Sequence, residues 1–216
     1  MSAAGPGPFV DRLDAGRQLA QALARWRGQH PLVLAIPRGG VPLGRVVAQA
    51  LAGELDVVLA RKIGAPHNPE YAVGAVDESG WIWRNPEAGD DPALRHHLAT
   101  EAARQLDLIR QRRVRYTPGR TPADPAGRVV IVVDDGLATG ATMIAALHAL
   151  RGRQPARLVC AVPVAPADVD ARLAGHADEL VCLRRPADFM AVGAHYRHFD
   201  AVEDEEVERL LRERPC

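Results

Sequence analysis

The sequence has few cysteines, few aromatic residues and no excess of charge of either sign. Its 216 residues include three cysteines, Cys160, Cys182 and Cys216, and aromatic residues make up 4% of the chain. An odd set of cysteines without a C-x-x-C pair argues against a disulfide framework and against a cysteine-based metal site. The histidines also lack the spacing of metal ligands, so the sequence does not predict a structural metal site.

The charge balance and the hydropathy pattern exclude several classes of protein. Lys plus Arg and Asp plus Glu number 27 each, which gives no bulk attraction to nucleic acid or to an anionic membrane, and we expect neither as a partner. No apolar run approaches the roughly 20 residues of a membrane span, and the amino terminus lacks the regions of a secretion signal. We therefore expect a cytoplasmic protein.

The most informative stretch covers residues 129–142, VVIVVDDGLATGAT. Its first five residues are β-branched without polar alternation, which is typical of a parallel strand buried on both faces. Asp134 and Asp135 follow, then a small turn, then a segment with helical character. The turn is thus predicted at the carboxyl end of a strand, where open α/β sheets bind their ligands.

The residue types of this turn suit a phosphorylated sugar. Gly136 and Gly140 allow the backbone to approach a ligand closely, and Thr139 and Thr142 add hydroxyl donors to the N–H groups of the following helix. The two carboxylates before them only accept hydrogen bonds, which suits the vicinal hydroxyls of a ribose. The stretch indicates a ribose 5-phosphate site; the structural alternative is a solvated turn with helix-capping threonines.

The same stretch resembles the phosphoribosyl-diphosphate (PRPP) signature of type I phosphoribosyltransferases, in which two acidic residues and a Thr-Gly-x-Thr type loop follow an apolar strand. The resemblance implies that Asp134 and Asp135 hold the ribose hydroxyls as catalytic residues. It also implies an α/β fold with a parallel central sheet flanked by helices and a small hood. The residues implied to bind the 5-phosphate are Ala138, Thr139, Gly140, Ala141 and Thr142.

A second motif lies upstream, where the apolar residues 32–36 run into Pro37-Arg38-Gly39-Gly40. This motif resembles the pyrophosphate loop of the same family. Arg38 and the N–H groups of Gly39 and Gly40 can meet the charge of a diphosphate leaving group. Family members often have a strained cis peptide in this loop, so the resemblance implies backbone strain near Arg38. An ordinary Pro-Gly turn is the alternative.

A third motif is the predicted strand over residues 56–62, which ends in Arg61 and Lys62 and is followed by a Gly- and Pro-punctuated loop over residues 63–74. It resembles the adenine-type branch of the family. The resemblance implies that Lys62 contacts the diphosphate and that the loop is a mobile catalytic loop, which would exclude water from a reactive sugar cation. A solvated surface pair of cations is an equally open interpretation of Arg61 and Lys62.

One position departs from the purine-type pattern. Members that act on lactam bases carry an aspartate in the phosphate loop, where this chain has Ala138 as adenine-type members do. If the chain is catalytic, another group must handle the proton of the base. Glu70 on the predicted mobile loop is the nearest candidate, and it would need a raised pKa.

We expect a single phosphoribosyltransferase-like domain over residues 1–216. Its core would cover about residues 30–165 with a helical insertion at about 77–127, and its hood would combine about residues 9–27 and 166–216. Phe189 in the hood is the candidate for stacking on a base, with Tyr196 as a weaker second. Core packing is the open alternative for both aromatic side chains.

The resemblance implies transfer of the 5-phosphoribosyl group of PRPP to a nitrogenous acceptor, with a nucleobase expected, and release of pyrophosphate. It implies Mg²⁺ as cofactor, held mainly through PRPP with Asp134 as a candidate ligand through water. The partners would be PRPP and a small-molecule acceptor, and family members commonly form homodimers. Two alternatives stay open: a PRPP-binding regulatory protein without transfer, and a hydrolase of PRPP or of another ribose phosphate.

Overall fold

The computed structural model describes residues 7–89 and 91–213, apart from the side chain of Glu70. Cys216 therefore lies outside the described residues. Six helices of this part are α1 (Arg12–Ala22), α2 (Gly40–Leu51), α3 (Pro92–Tyr116), α4 (Ala141–Arg151), α5 (Val169–Arg172) and α6 (Asp204–Arg212). Its strands are β1 (Leu32–Ala35), β2 (Glu54–Val57), β3 (Ala60–Ala65), β4 (Asn68–Asp77), β5 (Ile82–Arg84), β6 (Val129–Val133), β7 (Arg157–Val164) and β8 (Glu179–Arg184).

The main sheet contains five parallel strands in the order β2-β1-β6-β7-β8. Neighbouring strands β1 and β6 run in register, with Ala35 opposite Val133 at their carboxyl ends. The loops that follow these two strands consequently leave the sheet side by side. The predicted α/β class with a parallel central sheet flanked by helices is confirmed.

The core lies on both faces of this sheet, because alternate residues of a strand point to opposite faces. Val33 of β1 and Ile131 of β6 belong to one cluster, together with residues of α1, α2 and α6. Leu34 and Val132 belong to a second cluster, together with residues of α4. Burial on both faces explains why residues 129–133 carry no polar alternation.

The structure corrects the prediction for residues 56–74. The single strand expected over residues 56–62 is wrong, because β2 ends at Val57 in the main sheet and β3 begins at Ala60 in a second sheet. That second sheet is antiparallel with the order β3-β4-β5. Residues 63–74, expected as a loop, form most of the β3–β4 hairpin, whose register shifts at Gly64. A Cβ atom at Gly64 would lie 2.5 Å from the carbonyl oxygen of Pro69, so this close pairing requires glycine.

Two of the helices differ greatly in length. Helix α3 lies within the span where the sequence predicts a helical insertion, about residues 77–127, and the carboxylate of Asp91 caps it by accepting from the backbone N–H of Leu94. Helix α5 is a single turn, Val169–Arg172. Beyond it the chain turns through Gly175, which has a φ of +79°.

The segment before α1 pairs with the segment before α6. Phe9 donates its backbone N–H to the carbonyl oxygen of His195 and accepts from the N–H of Arg197, both at 2.8 Å. Helix α1 packs on α2, and α6 packs on α2 and α3. Within residues 7–89 and 91–213, no helix is both long enough and apolar enough to cross a bilayer.

Candidate active site

The two predicted ligand loops lie next to each other at the carboxyl edge of the sheet. The backbone N–H of Ile36, after β1, donates to the carbonyl oxygen of Val133 at 2.9 Å, which ties the end of β1 to the end of β6. The peptide bond between Pro37 and Arg38 is cis, as the resemblance implies. Neighbouring parallel strands thus place the acid pair beside the Pro-Arg-Gly-Gly turn.

The contact between these loops explains why two glycines follow Arg38. A Cβ atom built on Gly39 would collide with the carboxylate of Asp135, and one on Gly40 would lie 2.6 Å from the carbonyl oxygen of Val133. Any side chain at either position would separate the loops. Both glycines are therefore required by close packing, besides any contact of their N–H groups with a ligand.

The ionised forms of Asp134 and Asp135 are disfavoured because little solvent reaches their carboxylates. Burial raises the pKa of Asp134 well above its usual range, and the negative charge of Asp135 raises it further. The backbone N–H of Asp135 donates to the Asp134 carboxylate at 2.8 Å and offsets part of this rise. Burial likewise raises the pKa of Asp135, although a nearby arginine opposes the shift. Hydrogen-bond donors or a cation in contact with these carboxylates would stabilise their ionised forms.

The arginine beside the acid pair is Arg12, a residue that the sequence analysis did not single out. Its Nε donates to Oδ2 of Asp135 at 2.9 Å, and both side chains are largely buried, with 12% and 15% exposure. Tyr196 supports the same residue from the other side, donating from its hydroxyl to the Asp135 carbonyl oxygen at 2.6 Å. Neither contact has a local sequence signal, because Arg12 precedes Asp135 by 123 residues.

The predicted phosphate loop joins β6 to α4 and lines a cavity of about 170 Å³. Residues 136–143 form most of its wall, together with Asp134 and Lys62. Gly140, with a φ of +79°, precedes the first turn of α4, so that the backbone N–H groups of this turn face the loop. The hydroxyl of Thr139 accepts from the N–H of Ala141 at 3.4 Å. The loop thus has N–H groups and hydroxyls of the kind that can hold an anion.

Lys62 and the phosphate loop come from different sheets yet share this cavity. Its neighbour Arg61 points elsewhere, since its Nε donates to the side chain of Gln105 on α3. Alternation along β3 therefore separates the two adjacent cations. The structure brings Lys62, Asp134 and the loop together.

Arg38, the second predicted diphosphate ligand, is held by acidic residues at the start of α6. Its NH1 lies 3.2 Å from Oε2 of Glu203 and 3.9 Å from Oδ1 of Asp204. Its side chain keeps 36% exposure. The guanidinium group lies outside the set of residues that line the phosphate-loop cavity, although the Arg38 backbone belongs to the adjoining turn.

Phe189 and Tyr196, the aromatic residues predicted for the hood, do not line the phosphate-loop cavity. Phe189 is partly buried and stacks on His195, with ring centroids 5.5 Å apart and planes inclined by 18°. Tyr196 is buried and packs between Phe9 and Phe199, which matches the packing alternative for this residue. The backbone of Glu70 lies in β4, and its side chain lies outside the described part of the structure.

The fold and this loop arrangement define a class of protein, and the chain belongs to the phosphoribosyl transferase family. A family model described as the phosphoribosyl transferase domain matches residues 10–196. A protein of Thermus thermophilus with a crystal structure is 49% identical to this chain, and the alignment covers 94% of this chain and 97% of that one with a TM-score of 0.79.

Two further similarities extend the comparison. A Mycobacterium tuberculosis protein, present in two strains and named provisionally as a phosphoribosyl transferase, is 45% identical over 208 residues. The alignment covers 94% of this chain and 46% of that protein, so the chain spans about half the length of the curated relatives it matches. A Neisseria gonorrhoeae protein crystallised with ppGpp shares the fold, with a TM-score of 0.55 at 14% identity over 95% of this chain and 94% of that chain.

Proposed function

We propose that this protein transfers the 5-phosphoribosyl group of PRPP to a ring nitrogen of a nucleobase and releases pyrophosphate. The observation that carries the proposal is the cavity in which Lys62, Asp134 and residues 136–143 meet at the carboxyl edge of the sheet. A cation, a carboxylate and an anion-binding loop are the groups that a phosphorylated ribose with a diphosphate requires.

Each group has a role in this transfer. Residues 138–142 bind the 5-phosphate through N–H groups and hydroxyls, and Asp134 and Asp135 accept from the ribose hydroxyls. Lys62 stabilises charge that develops on the departing diphosphate, and the N–H groups of Gly39 and Gly40 add to this. The sugar becomes cation-like in the transition state, as in other glycosyl transfers. Positioning and electrostatic stabilisation therefore suffice, and no protein nucleophile is needed.

Mg²⁺ fits the chemistry of this site as a companion of PRPP. Two neighbouring carboxylates with raised pKa values are hard oxygen donors that a divalent cation would stabilise. In the described part of the chain, no group of three or more His, Cys, Asp or Glu side chains is arranged to hold a metal. Diphosphate oxygens would therefore supply most ligands, with Asp134 reached through water. When bound, Mg²⁺ would neutralise charge on the leaving group.

The acceptor would enter between the phosphate loop and the hood, which we propose to consist of about residues 9–27 and 166–216. Phe189 is the proposed stacking residue, and its ring is aligned by stacking on His195. Glu70 is the proposed acid or base for the proton of the acceptor, because Ala138 has no ionisable group.

The test is a pyrophosphate-release assay with PRPP, Mg²⁺ and separate purine, pyrimidine and non-base acceptors. We expect release that depends on one class of nucleobase and is abolished in the double variant Asp134→Asn, Asp135→Asn. A thermal melt of the variant checks that the fold is retained. Full turnover by a folded double variant would falsify the assignment of the acid pair.

The loss of an ionisable residue at Ala138 also favours a second function, a PRPP-binding regulatory protein without transfer. The same assay separates the two functions when it is combined with calorimetry. PRPP binding without pyrophosphate release against any acceptor supports regulation. Pyrophosphate release without an acceptor indicates hydrolysis instead.

A further inference from the structure

A second cavity, of about 750 Å³, lies at the opposite edge of the main sheet. Its wall includes His30 just before β1, Glu54 at the start of β2 and Arg128 just before β6. These three strands are parallel, so the residues mark their amino ends. Ligands of open α/β sheets bind at the carboxyl edge, and the cavity therefore lies apart from the catalytic crevice. No described residue lines both this cavity and the one at the phosphate loop.

The described wall of this cavity has an excess of positive charge. It contains four arginines and two glutamates, namely Arg45, Arg120, Arg128, Arg212, Glu54 and Glu213. With His30 neutral, the net charge of these groups is two positive units. Arg212 is paired with Glu208 outside the wall at 3.0 Å, which leaves one positive charge in excess. Arg45 is only 8% exposed, and a cation at this depth interacts more strongly with an anion than one on an open surface does.

Two of the arginines are oriented by nearby carboxylates and carbonyl oxygens. Arg128 contacts Oε2 of Glu54 at 2.7 Å, and Arg45 donates to the backbone carbonyl oxygen of Glu213 at 2.6 Å and lies 3.8 Å from its Oε2. Arg120 donates to the carbonyl oxygen of Leu211 at 3.2 Å, and in the described part of the chain it has no carboxylate partner. Carbonyl oxygens orient a guanidinium group without neutralising it, so the fork of Arg120 remains suited to phosphate.

Most of the remaining wall residues are apolar. Leu55, Tyr116, Pro118 and Leu211 contribute to it, and the volume falls in the range of about 300–1,000 Å³ that small-molecule sites occupy. A cationic rim beside apolar side chains suits an organic anion with a flat body. Inorganic phosphate alone would leave the apolar part unused.

We propose that this cavity is a binding site for a nucleoside diphosphate or a closely similar organic polyphosphate. The phosphates contact Arg120 and Arg128, and the base lies against Leu55 and Pro118. This site is independent of transfer activity, so it can be tested by binding alone.

The experiment is calorimetry of the full chain with ADP, GDP and UDP in turn, without Mg²⁺ and at low ionic strength. We expect at least one nucleotide to bind, with an affinity that falls as salt is added. In the variant Arg120→Gln, Arg128→Gln we expect binding at least about tenfold weaker, because two charge-assisted contacts are lost. The variant Arg120→Lys, Arg128→Lys keeps the charges and should retain more of the affinity.

Lys62→Ala is the matched control for the other cavity, and it should leave nucleotide binding unchanged. A thermal melt without ligand checks the fold of each variant, and Arg120→Gln alone replaces the double variant if the latter fails to fold. Three results would overturn the proposal: no heat with any of the nucleotides at millimolar concentration, equal affinity of wild type and Arg→Gln variant, or loss of binding in Lys62→Ala. Pyrophosphate that binds here as tightly as the best nucleotide would also overturn it.

Discussion

The guanidinium group of Arg12, in the first turn of α1, is paired with the carboxylate of Asp135 at 2.9 Å. The same side chain lies 3.9 Å from the ring centroid of Phe199 and donates to the carbonyl oxygen of Asp200 at 2.6 Å. Arg12 thus connects the acid pair to segments near both ends of the chain. Among the charged groups acting on Asp135, Arg12 is the one that favours the ionised form.

Replacing Arg12 with Gln should raise the pKa of Asp135 further, because burial remains and the opposing cation is gone. More of the carboxyl is then protonated at a given pH. We expect the acidic limb of the kcat/KM profile for PRPP to move to higher pH, and the free energy of unfolding to fall by about 1–3 kcal/mol. Pyrophosphate release measured across pH checks the shift.

Arg12→Lys is the control for that experiment, since it keeps a cation near Asp135. It should restore part of the wild-type profile. An Arg12→Gln variant that loses stability while its pH profile stays unchanged would mean that Arg12 acts only by packing against Phe199.

Replacing Asp134 with Asn should stabilise the ligand-free protein at neutral pH. The raised pKa of Asp134 means that the folded state binds a proton that the unfolded state has already released, so stability falls as pH rises from the ordinary value of 3.8 through the raised one. The asparagine side chain does not titrate, and its oxygen can still accept from the backbone N–H of Asp135. We expect the melting temperatures of variant and wild type to converge at low pH and to diverge above it.

That difference is measured by thermal melts of both proteins over a pH series. A variant that melts at the same temperature as wild type throughout would contradict a strongly desolvated Asp134. The variant should meanwhile lose transfer activity, a trade between stability and function that is common at active sites.

Lys62→Ala should raise the KM for PRPP at least about tenfold, because a hydrogen bond to a charged group contributes about 1.5–3 kcal/mol, and it should also lower kcat, because charge grows on the departing diphosphate. Arg61→Ala is a matched control one residue away. It removes the contact with Gln105 on α3, so it should lower the melting temperature and leave the KM unchanged. Steady-state kinetics of both variants give the two KM values. An equal rise in both would contradict the assignment of PRPP binding to Lys62 and not to Arg61.

Glu203→Gln should strengthen binding of pyrophosphate about twofold, since it removes the nearer of the acidic partners of Arg38. The gain is small because exposed ion pairs contribute roughly 0.2–1 kcal/mol. Glu206→Gln makes the same charge change on the first turn of α6 and should have no effect. Calorimetry with pyrophosphate compares the variants, and a twofold gain in Glu206→Gln would indicate a long-range charge effect instead.

The sequence was sufficient for the elements whose signals are local. A run of β-branched residues predicted β6, and the residues between it and α4 predicted a ligand loop, which the structure places beside Lys62. The glycines after Arg38 were predicted for their N–H groups. Their contact with Asp135 and Val133 depends on the pairing of β1 with β6, which no local pattern shows.

Other features could not be predicted because they arise from contacts between distant segments. The break between β2 and β3 depends on which sheet each half joins, and the apolar run over residues 57–60 continues across it. Arg12 belongs to an amphipathic helix in which an arginine is unremarkable. The partner of Arg38 was also missed, because Glu203 is 165 residues away. The sequence around Glu203 predicts only the start of an acidic helix.

Residues at both ends of helix α6 contact arginines, and these arginines lie near opposite edges of the sheet. Glu203 precedes its first residue and holds Arg38, and Glu213 follows its last residue and holds Arg45. With a rise of about 1.5 Å per residue, such a helix is a short, stiff rod. Any displacement of the helix along its axis would therefore change the contacts of both arginines, one near each edge of the main sheet.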